Sequence, residues 1–195
     1  MASTEVTHNE VVLYPFLNAH IIFIIMFQHP VLRFLWCMLG AGAGISLALF
    51  LAGPSMVPFL LASLGGSTVF LFGLTKAPAG QPRALFGGHL GGALIGISCY
   101  QAFGDAFWVY ILAQVLGVSL MLLTKTVHPP AGGNPIIMVY VHAGWDALLN
   151  PVLIGVTSLA IVAAIWSRLY PGLNHYPVKW LDRSPPTTFW GGWDH

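Results

Sequence analysis

Charged side chains are scarce in this chain of 195 residues. Only 7% of the residues are Asp, Glu, Lys or Arg, and 56% are hydrophobic, whereas about a quarter of a typical soluble domain is charged. A water-soluble fold would leave too much apolar surface uncovered, so the composition excludes a soluble globular protein. The net charge is +1 and the cations form no basic run, which excludes a nucleic-acid-binding surface.

Cysteine is scarce as well. Cys37 and Cys99 both lie inside apolar runs and form no CxxC pair, so we expect them to be small packing residues. The eight histidines show no i, i+4 pair and no clustering with Cys, Asp or Glu. We therefore expect no metal and no cofactor. Nucleotide-binding fingerprints are missing, and Ser63 and Ser67 have no base near them in sequence, so an enzyme is not predicted.

Long apolar runs are what the chain has instead. A bilayer core of about 30 Å needs about 20 helical residues, and five runs fit: 35–53, 57–75, 84–104, 106–124 and 148–166. A sixth run, 136–145, is about half a span and is either a half-helix or a short crossing. If it crosses, the Lys and Arg residues from Arg33 to Arg183 lie on one side of the membrane, and Asp105 and Asp146 lie on the other.

This partition obeys the positive-inside rule. The sequence therefore predicts an all-α, polytopic transmembrane bundle of about six spans with a cytoplasmic C-terminus. It divides into an N-terminal apolar segment (1–33), the bundle (34–168) and a Trp-rich tail (169–195) that we expect at the membrane surface. Within the first segment, residues 11–27 form either an interfacial helix or a seventh span.

One motif occurs twice. Residues 74–82 read Leu-Thr-Lys-Ala-Pro-Ala-Gly-Gln-Pro, and residues 123–135 read Leu-Thr-Lys-Thr-Val-His-Pro-Pro-Ala-Gly-Gly-Asn-Pro. Two predicted crossings separate the copies, so we expect two parallel Pro/Gly-loop repeats on the same face of the membrane. Paired polar breaks between apolar segments indicate a binding site in many transporters.

The chemistry of these loops suits a small anion. A helix N-terminus presents unpaired N–H groups and a partial positive charge, and glycine lets them approach a ligand closely. Cations beside the loops add positive potential, while histidines within the spans can donate a hydrogen bond or pass a proton. The candidate pathway residues are Lys76, Gln81, Arg83, His89, Lys125, His128, Gly132, Gly133, Asn134 and His142.

Each of these residues also has a purely structural interpretation. Lys76 and Lys125 are placed as snorkelling anchors at span ends, and Arg83 satisfies the positive-inside rule. His89 and His142 are placed to hydrogen-bond between helices. The His-Pro-Pro sequence at 128–130 also suits a rigid turn.

Two stretches carry a family resemblance. Ala-Pro-x-x-Gln-Pro-Arg-x-x-x-Gly-Gly-His at 77–89 and Lys-x-x-His-Pro-Pro-Ala-Gly at 125–132 resemble the HPP family of bacterial and plastid membrane proteins, which is named for its His-Pro-Pro element. The resemblance covers roughly 33–166. It implies at least four transmembrane segments, and because plastid members are implicated in nitrite transport, it implies a nitrite or small-anion transporter.

Two functions therefore stand at this point. The first is a transporter or channel in the bacterial inner membrane that moves a small anion, nitrite by resemblance, between the two loops. The alternative is an accessory subunit of a larger membrane complex, whose glycine-faced helices pack on partner chains without transport. The expected partners are the lipid bilayer, the anion, and either further copies of the chain or other subunits.

Overall fold

The computed structural model describes residues 29–53 and 58–187, with the backbone alone for residues 58–61. In these ranges the chain forms six α-helices and no strand: α1 (Pro30–Ala52), α2 (Pro58–Thr68), α3 (Pro82–Phe103), α4 (Phe107–Thr124), α5 (Asn134–Tyr140) and α6 (Ile154–Leu169). Wider π-helical turns extend α2 through Val69–Gly73 and precede α6 at Leu149–Leu153. Short 3-10 turns lie at Pro78–Gly80, Pro129–Gly133 and Trp145–Leu148. The all-helical prediction is confirmed for this part of the chain.

Proline and glycine set the helix boundaries. Pro30 and Pro82 occupy the first turns of α1 and α3, where the missing N–H costs nothing and the fixed φ favours the helix. Gly53 and Gly104 follow the same two helices with φ values of 85° and 74°. A positive φ at this place ends a helix, and glycine adopts it without a steric penalty because it has no Cβ.

Among the described residues, three helical segments are long and apolar enough to cross a membrane: Pro30–Ala52, Phe107–Thr124 and Trp145–Leu169. Their outward faces are apolar, with Phe50 on α1 82% exposed and Phe107 on α4 83% exposed. Such faces are stable only against lipid or another apolar surface. The chain is therefore an integral membrane protein.

The helix α3 lies at the centre of the bundle. Its glycines face α4, α5 and the segment that connects them. The approach is close: a Cβ at Gly96 would lie 2.5 Å from the carbonyl oxygen of Pro135 and 2.7 Å from the Cβ of Met138, both in α5. At Gly88, a Cβ would lie 2.9 Å from the Cβ of His128. Small residues allow this kind of packing between helices in lipid, which explains why an interior helix has so many of them.

The segment from Thr126 to Ala143 runs beside α3 in the same direction. Thr126 lies against Gly87, and at the other end Gln101 Nε2 donates to the carbonyl oxygen of Ala143 at 3.2 Å. At 1.5 Å per residue this part of α3 is about 20 Å long. The run 136–145 is only partly helical, because α5 ends at Tyr140. The segment from Thr126 to Ala143 that contains it nevertheless follows most of the length of α3.

The predicted N-terminal segment 11–27 lies outside the described residues, as does the end of the tail after residue 187. The described part of the tail packs against the bundle rather than extending away from it. Tyr176 is 1% exposed, and its backbone N–H donates to Ser167 Oγ at 2.9 Å.

Replacing Gly96 with alanine tests the packing of α3. The added methyl group would collide with the backbone of Pro135, so α3 and α5 must separate, and overpacking of this kind costs about 1–3 kcal/mol. We expect Gly96→Ala to lower the thermal unfolding temperature in detergent. Gly42→Ala is the matched control, since nothing lies within 4 Å of its added Cβ. Equal stability of both variants would contradict the close approach.

Candidate functional site: a buried histidine cluster between two loops

The two copies of the doubled motif meet in space. We call residues 74–81 loop 1 and residues 125–133 loop 2. The Nδ1 atom of His128 in loop 2 lies 2.6 Å from the carbonyl oxygen of Ala79 in loop 1. Each loop contains a 3-10 turn that begins with proline, at Pro78 and Pro129. The expected proximity of the loops is therefore observed, whereas their origin as parallel repeats stays a prediction.

A buried chain of polar side chains lies beneath the contact between the loops. Ser67 Oγ of α2 is 2.8 Å from Nε2 of His89 on α3 and 2.8 Å from Nε2 of His128. The exposed fractions are 0% for Ser67, 1% for His89 and 0% for His128. Asn134, at the start of α5, completes the group with 0% exposure. These four residues are the histidine cluster.

Asn134 binds the second nitrogen of His89. Its Nδ2 lies 3.1 Å from His89 Nδ1 and 3.2 Å from the His89 carbonyl oxygen. The amide must be oriented with nitrogen toward His89, because an amide oxygen there would face a carbonyl oxygen. The Oδ1 atom of Asn134 is buried and has no hydrogen-bond partner among the described residues.

The contacts assign one tautomer to each imidazole. The Ala79 carbonyl can only accept, so Nδ1 of His128 carries the hydrogen and its Nε2 is the acceptor. The Ser67 hydroxyl then donates to His128, and its oxygen accepts from Nε2–H of His89. The His89 Nδ1 lone pair in turn accepts from Asn134. All donors in this series of hydrogen bonds point the same way, from Asn134 toward loop 1.

His128 lies in the loop between α4 and α5, and its burial lowers the pKa of the imidazole to about 4, while the hydrogen bond to Ala79 acts in the opposite direction. Burial disfavours the charged form because the imidazolium loses its hydration. His128 is therefore neutral at physiological pH in this conformation, in agreement with the tautomers assigned above.

Gln81 joins loop 1 to the tail. Its Nε2 donates to the carbonyl oxygens of Thr75 and Ala77, and its Oε1 accepts the backbone N–H groups of Val178 and Lys179 at 2.9 and 3.0 Å. The side chain is 1% exposed. Gln81 was a candidate pathway residue, and the structure gives it four hydrogen bonds within the protein.

The tail also contacts the other motif residues. The backbone N–H of Arg83, in the first turn of α3, donates to the Trp180 carbonyl at 3.3 Å, so the tail occupies part of the helix N-terminus where an anion was expected. The Arg83 guanidinium donates to the Thr124 carbonyl at 2.8 Å. In loop 2, Ser184 pairs with the backbone of Lys125 and Val127.

The remaining candidates of the loops lie nearer the surface. Lys76 is exposed, and Lys125 ends α4 in a left-handed conformation with φ 55°. Gly133 is exposed, and a Cβ at Gly132 would meet nothing within 4 Å. The two lysines and the two glycines thus flank the cluster without entering it.

His142 lies at the far end of α3 from the loops. Its Nε2 is 2.7 Å from Asp105 Oδ2, and Tyr110 donates to Asp105 Oδ1 at 2.7 Å. The hydrogen bonds from His142 and Tyr110 lower the pKa of Asp105. His142 has φ 54° and stacks on Tyr100 with a centroid distance of 5.0 Å. The structure therefore separates His142 from His89, and a shared pathway between them stays a prediction.

Sequence reasoning missed Ser67 as a member of the site. It lies in an apolar run, and its two imidazole partners come from α3 and loop 2. A usable signal was the i, i+4 spacing of Ser63 and Ser67, which puts both hydroxyls on one helix face. Ser63 Oγ donates to the Pro130 carbonyl at 2.8 Å, so this face of α2 binds loop 2 twice.

Sequence comparison identifies the family. Residues 26–177 match the profile described as HPP, transmembrane region. The chain belongs to the HPP transmembrane family. The match ends before Val178, Lys179, Trp180 and Ser184, so the contacts of these tail residues with the loops come from a part of the chain that the family profile does not cover.

The HPP chain is also similar to two transmembrane proteins of Dictyostelium discoideum. It is 27% identical to one over 157 residues, which cover 74% of this chain and 55% of the relative. It is 33% identical to the other over 135 residues, which cover 63% of this chain and 42% of the relative. The chain thus spans about half the length of the curated relatives it matches. No solved structure matches it.

Replacing Gln81 with leucine tests the link between loop 1 and the tail. The change leaves buried carbonyl and N–H groups without partners, so we expect a loss of about 2–4 kcal/mol of stability and faster proteolysis after residue 177. Gln101→Leu is the matched control, since exposed Gln101 makes one bond, to Ala143. A tail that is equally protected in both variants would contradict the role of Gln81.

Proposed function

We propose that this HPP protein transports a small anion across the membrane, with nitrite as the candidate, and that the histidine cluster is the point through which the anion passes. The supporting observation is the cluster itself: Ser67, His89 and His128 are at most 1% exposed and form a continuous hydrogen-bonded chain. Ionisable side chains within a membrane bundle are costly and mark substrate or ion pathways by default.

The chemistry of the cluster fits a small monovalent anion. Imidazole N–H and serine O–H groups donate hydrogen bonds to an anion without placing a fixed charge in the bundle. Lys76, Arg83 and Lys125 beside the loops raise the local positive potential, which increases the anion concentration at that end. Nitrite is the candidate because the motif resemblance implies it.

The conformation described here is closed at the cluster. Access from the loop side requires that His128 separate from the Ala79 carbonyl, because this contact joins loop 1 to loop 2. The tail holds loop 1 through Gln81 and loop 2 through Ser184. We therefore propose a carrier that opens by parting the loops, with tail residues 170–187 moving as part of the same step.

We further propose that the chain crosses the membrane six times. The contacts of Arg33 with the Gly172 carbonyl, of Arg83 with Thr124 and of Arg168 with Tyr176 gather the cations at one end of the bundle. Asp105 and His142 lie at the other end of α3. By the positive-inside rule the loops and the tail are cytoplasmic, and we expect a bacterial inner membrane as the location.

The accessory-subunit alternative has one supporting observation. An apolar cavity of about 390 Å³ lies between α3, α6 and the tail, and its lining includes Phe86, Ile161 and Trp180. A partner helix would find an apolar surface there. The bundle's buried imidazoles have no role in this alternative, which is why we favour transport.

Uptake by the purified protein in lipid vesicles tests the proposal. We expect nitrite to enter vesicles that contain the protein faster than protein-free vesicles, measured by nitrite colorimetry in slightly alkaline buffer, where little nitrous acid can diffuse. His128→Ala removes both the donor to loop 1 and the acceptor for Ser67, so its uptake should fall to the protein-free rate.

His175→Ala is the matched control, because His175 is exposed on the tail, and its uptake should stay unchanged. Unchanged uptake in His128→Ala would remove the cluster from the pathway. No uptake by the unmodified protein, together with stable co-purification of unrelated membrane chains, would favour the accessory subunit.

A further inference from the structure

The atoms around Ser67 are compatible with two complete hydrogen-bond arrangements. In the neutral arrangement, the Ser67 hydroxyl hydrogen points to His128 Nε2 and the oxygen accepts from His89 Nε2–H. A third partner lies close by, since Ser67 Oγ is 3.1 Å from the Ser63 carbonyl oxygen. One hydroxyl hydrogen cannot bind both His128 Nε2 and the Ser63 carbonyl oxygen. In the neutral arrangement the Ser63 carbonyl therefore accepts no hydrogen bond from the Ser67 hydroxyl.

The second arrangement contains one more proton. If Nε2 of His128 is protonated, it becomes a donor to Ser67 Oγ, and the Ser67 hydroxyl turns to the Ser63 carbonyl. The two lone pairs of Ser67 then accept from Nε2–H of His89 and Nε2–H of His128. His128 Nδ1–H still donates to the Ala79 carbonyl. No donor is left unpaired and no heavy atom has to move.

We infer that the histidine cluster binds one proton at Nε2 of His128 and carries it together with the anion, so that this HPP protein is a proton–anion symporter. This inference rests on the proposed function and names its coupling ion. On one side of the membrane a hydronium ion transfers its proton to His128 Nε2 and leaves water. On the other side the same N–H bond breaks and the proton returns to water.

Because of the groups that surround the cluster, binding of the proton and binding of the anion depend on each other. The described groups that face the two imidazoles are the Ser63 carbonyl and Ser67 of α2, the Phe70 ring, the Ala79 carbonyl and Asn134. All of them are uncharged. A buried imidazolium without a counter-charge is unfavourable. The bound anion supplies that counter-charge and so makes protonation of His128 favourable. By linkage, protonation strengthens anion binding by the same free energy.

Asn134 adds an independent observation. Its buried Oδ1 is an acceptor with no partner among the described residues, although buried polar atoms are nearly always paired. An unpaired oxygen next to His89 carries a partial negative charge and repels a bare anion. An anion is therefore favoured in the cluster only while His128 carries the proton, whose charge offsets this repulsion.

The experiment measures protons and nitrite in the same lipid vesicles, with a pH-sensitive dye trapped inside. For the unmodified protein we expect nitrite uptake above the protein-free rate to be accompanied by acidification of the interior, one proton for each nitrite. Uptake should not change when a potassium gradient and valinomycin impose a membrane potential, because symport of one proton and one monovalent anion moves no net charge.

Ser67→Ala removes the acceptor that the two imidazoles share. We expect this variant to lose both the acidification that accompanies nitrite uptake and the accumulation of nitrite driven by an inside-alkaline pH gradient. Ser98→Ala is the matched control, since Ser98 Oγ bonds only within α3, to the Leu94 carbonyl. If Ser67→Ala fails to fold, the proton count and the potential dependence of the unmodified protein still decide the matter.

Nitrite uptake that responds to the membrane potential and causes no acidification would overturn the symport and leave the proposed transport intact. Absence of protein-dependent nitrite uptake under all conditions would overturn the proposed function itself. Retention of pH-driven accumulation in Ser67→Ala would remove the hydroxyl from the proton site.

Discussion

The hydrogen bond between His128 and the Ala79 carbonyl joins the two loops of the HPP bundle, and most of the site depends on it. It fixes the tautomer of His128, because a carbonyl can only accept. That tautomer makes Nε2 an acceptor for Ser67, and Ser67 in turn determines the tautomer of His89. A single backbone oxygen in loop 1 thus orders four side chains on α2, α3, loop 2 and α5.

Close packing along α3 makes this arrangement possible. Without a Cβ at Gly88 and Gly92, loop 2 and the start of α5 can lie directly against the central helix, and His128 can reach both Ser67 and loop 1. In lipid, buried polar groups must find partners inside the protein. The small residues of α3 bring those partners within hydrogen-bond distance, which is why composition and site chemistry are connected in this chain.

Much of the fold could be predicted from the sequence, because apolar runs and terminal prolines and glycines are local signals. The doubled motif also predicted two neighbouring loops, and His128 of loop 2 does contact loop 1, whereas the role of these residues as a binding site stays a prediction. Ser67 was not found in this way: its i, i+4 spacing from Ser63 marks a polar helix face, but nothing local indicates that its partners are His89 and His128. Likewise, nothing local indicated that Gln81 binds the tail.

The short run 136–145 shows a different limit. Its length suited either a half-helix or a crossing, and the structure combines features of both: α5 ends at Tyr140, yet the chain continues beside α3 to the pair of His142 and Asp105. Hydropathy alone could not distinguish these cases. After Tyr140 the chain is no longer helical, and contacts with α3, which hydropathy does not register, hold it alongside that helix.

The directed hydrogen-bond chain is most directly tested by nitrogen-15 NMR of the two imidazoles in the protein in lipid at neutral pH, since protonated and bare ring nitrogens have very different chemical shifts. We expect opposite tautomers, with hydrogen on Nδ1 of His128 and on Nε2 of His89. The same tautomer on both rings, or a doubly protonated ring in the absence of anion, would contradict this arrangement.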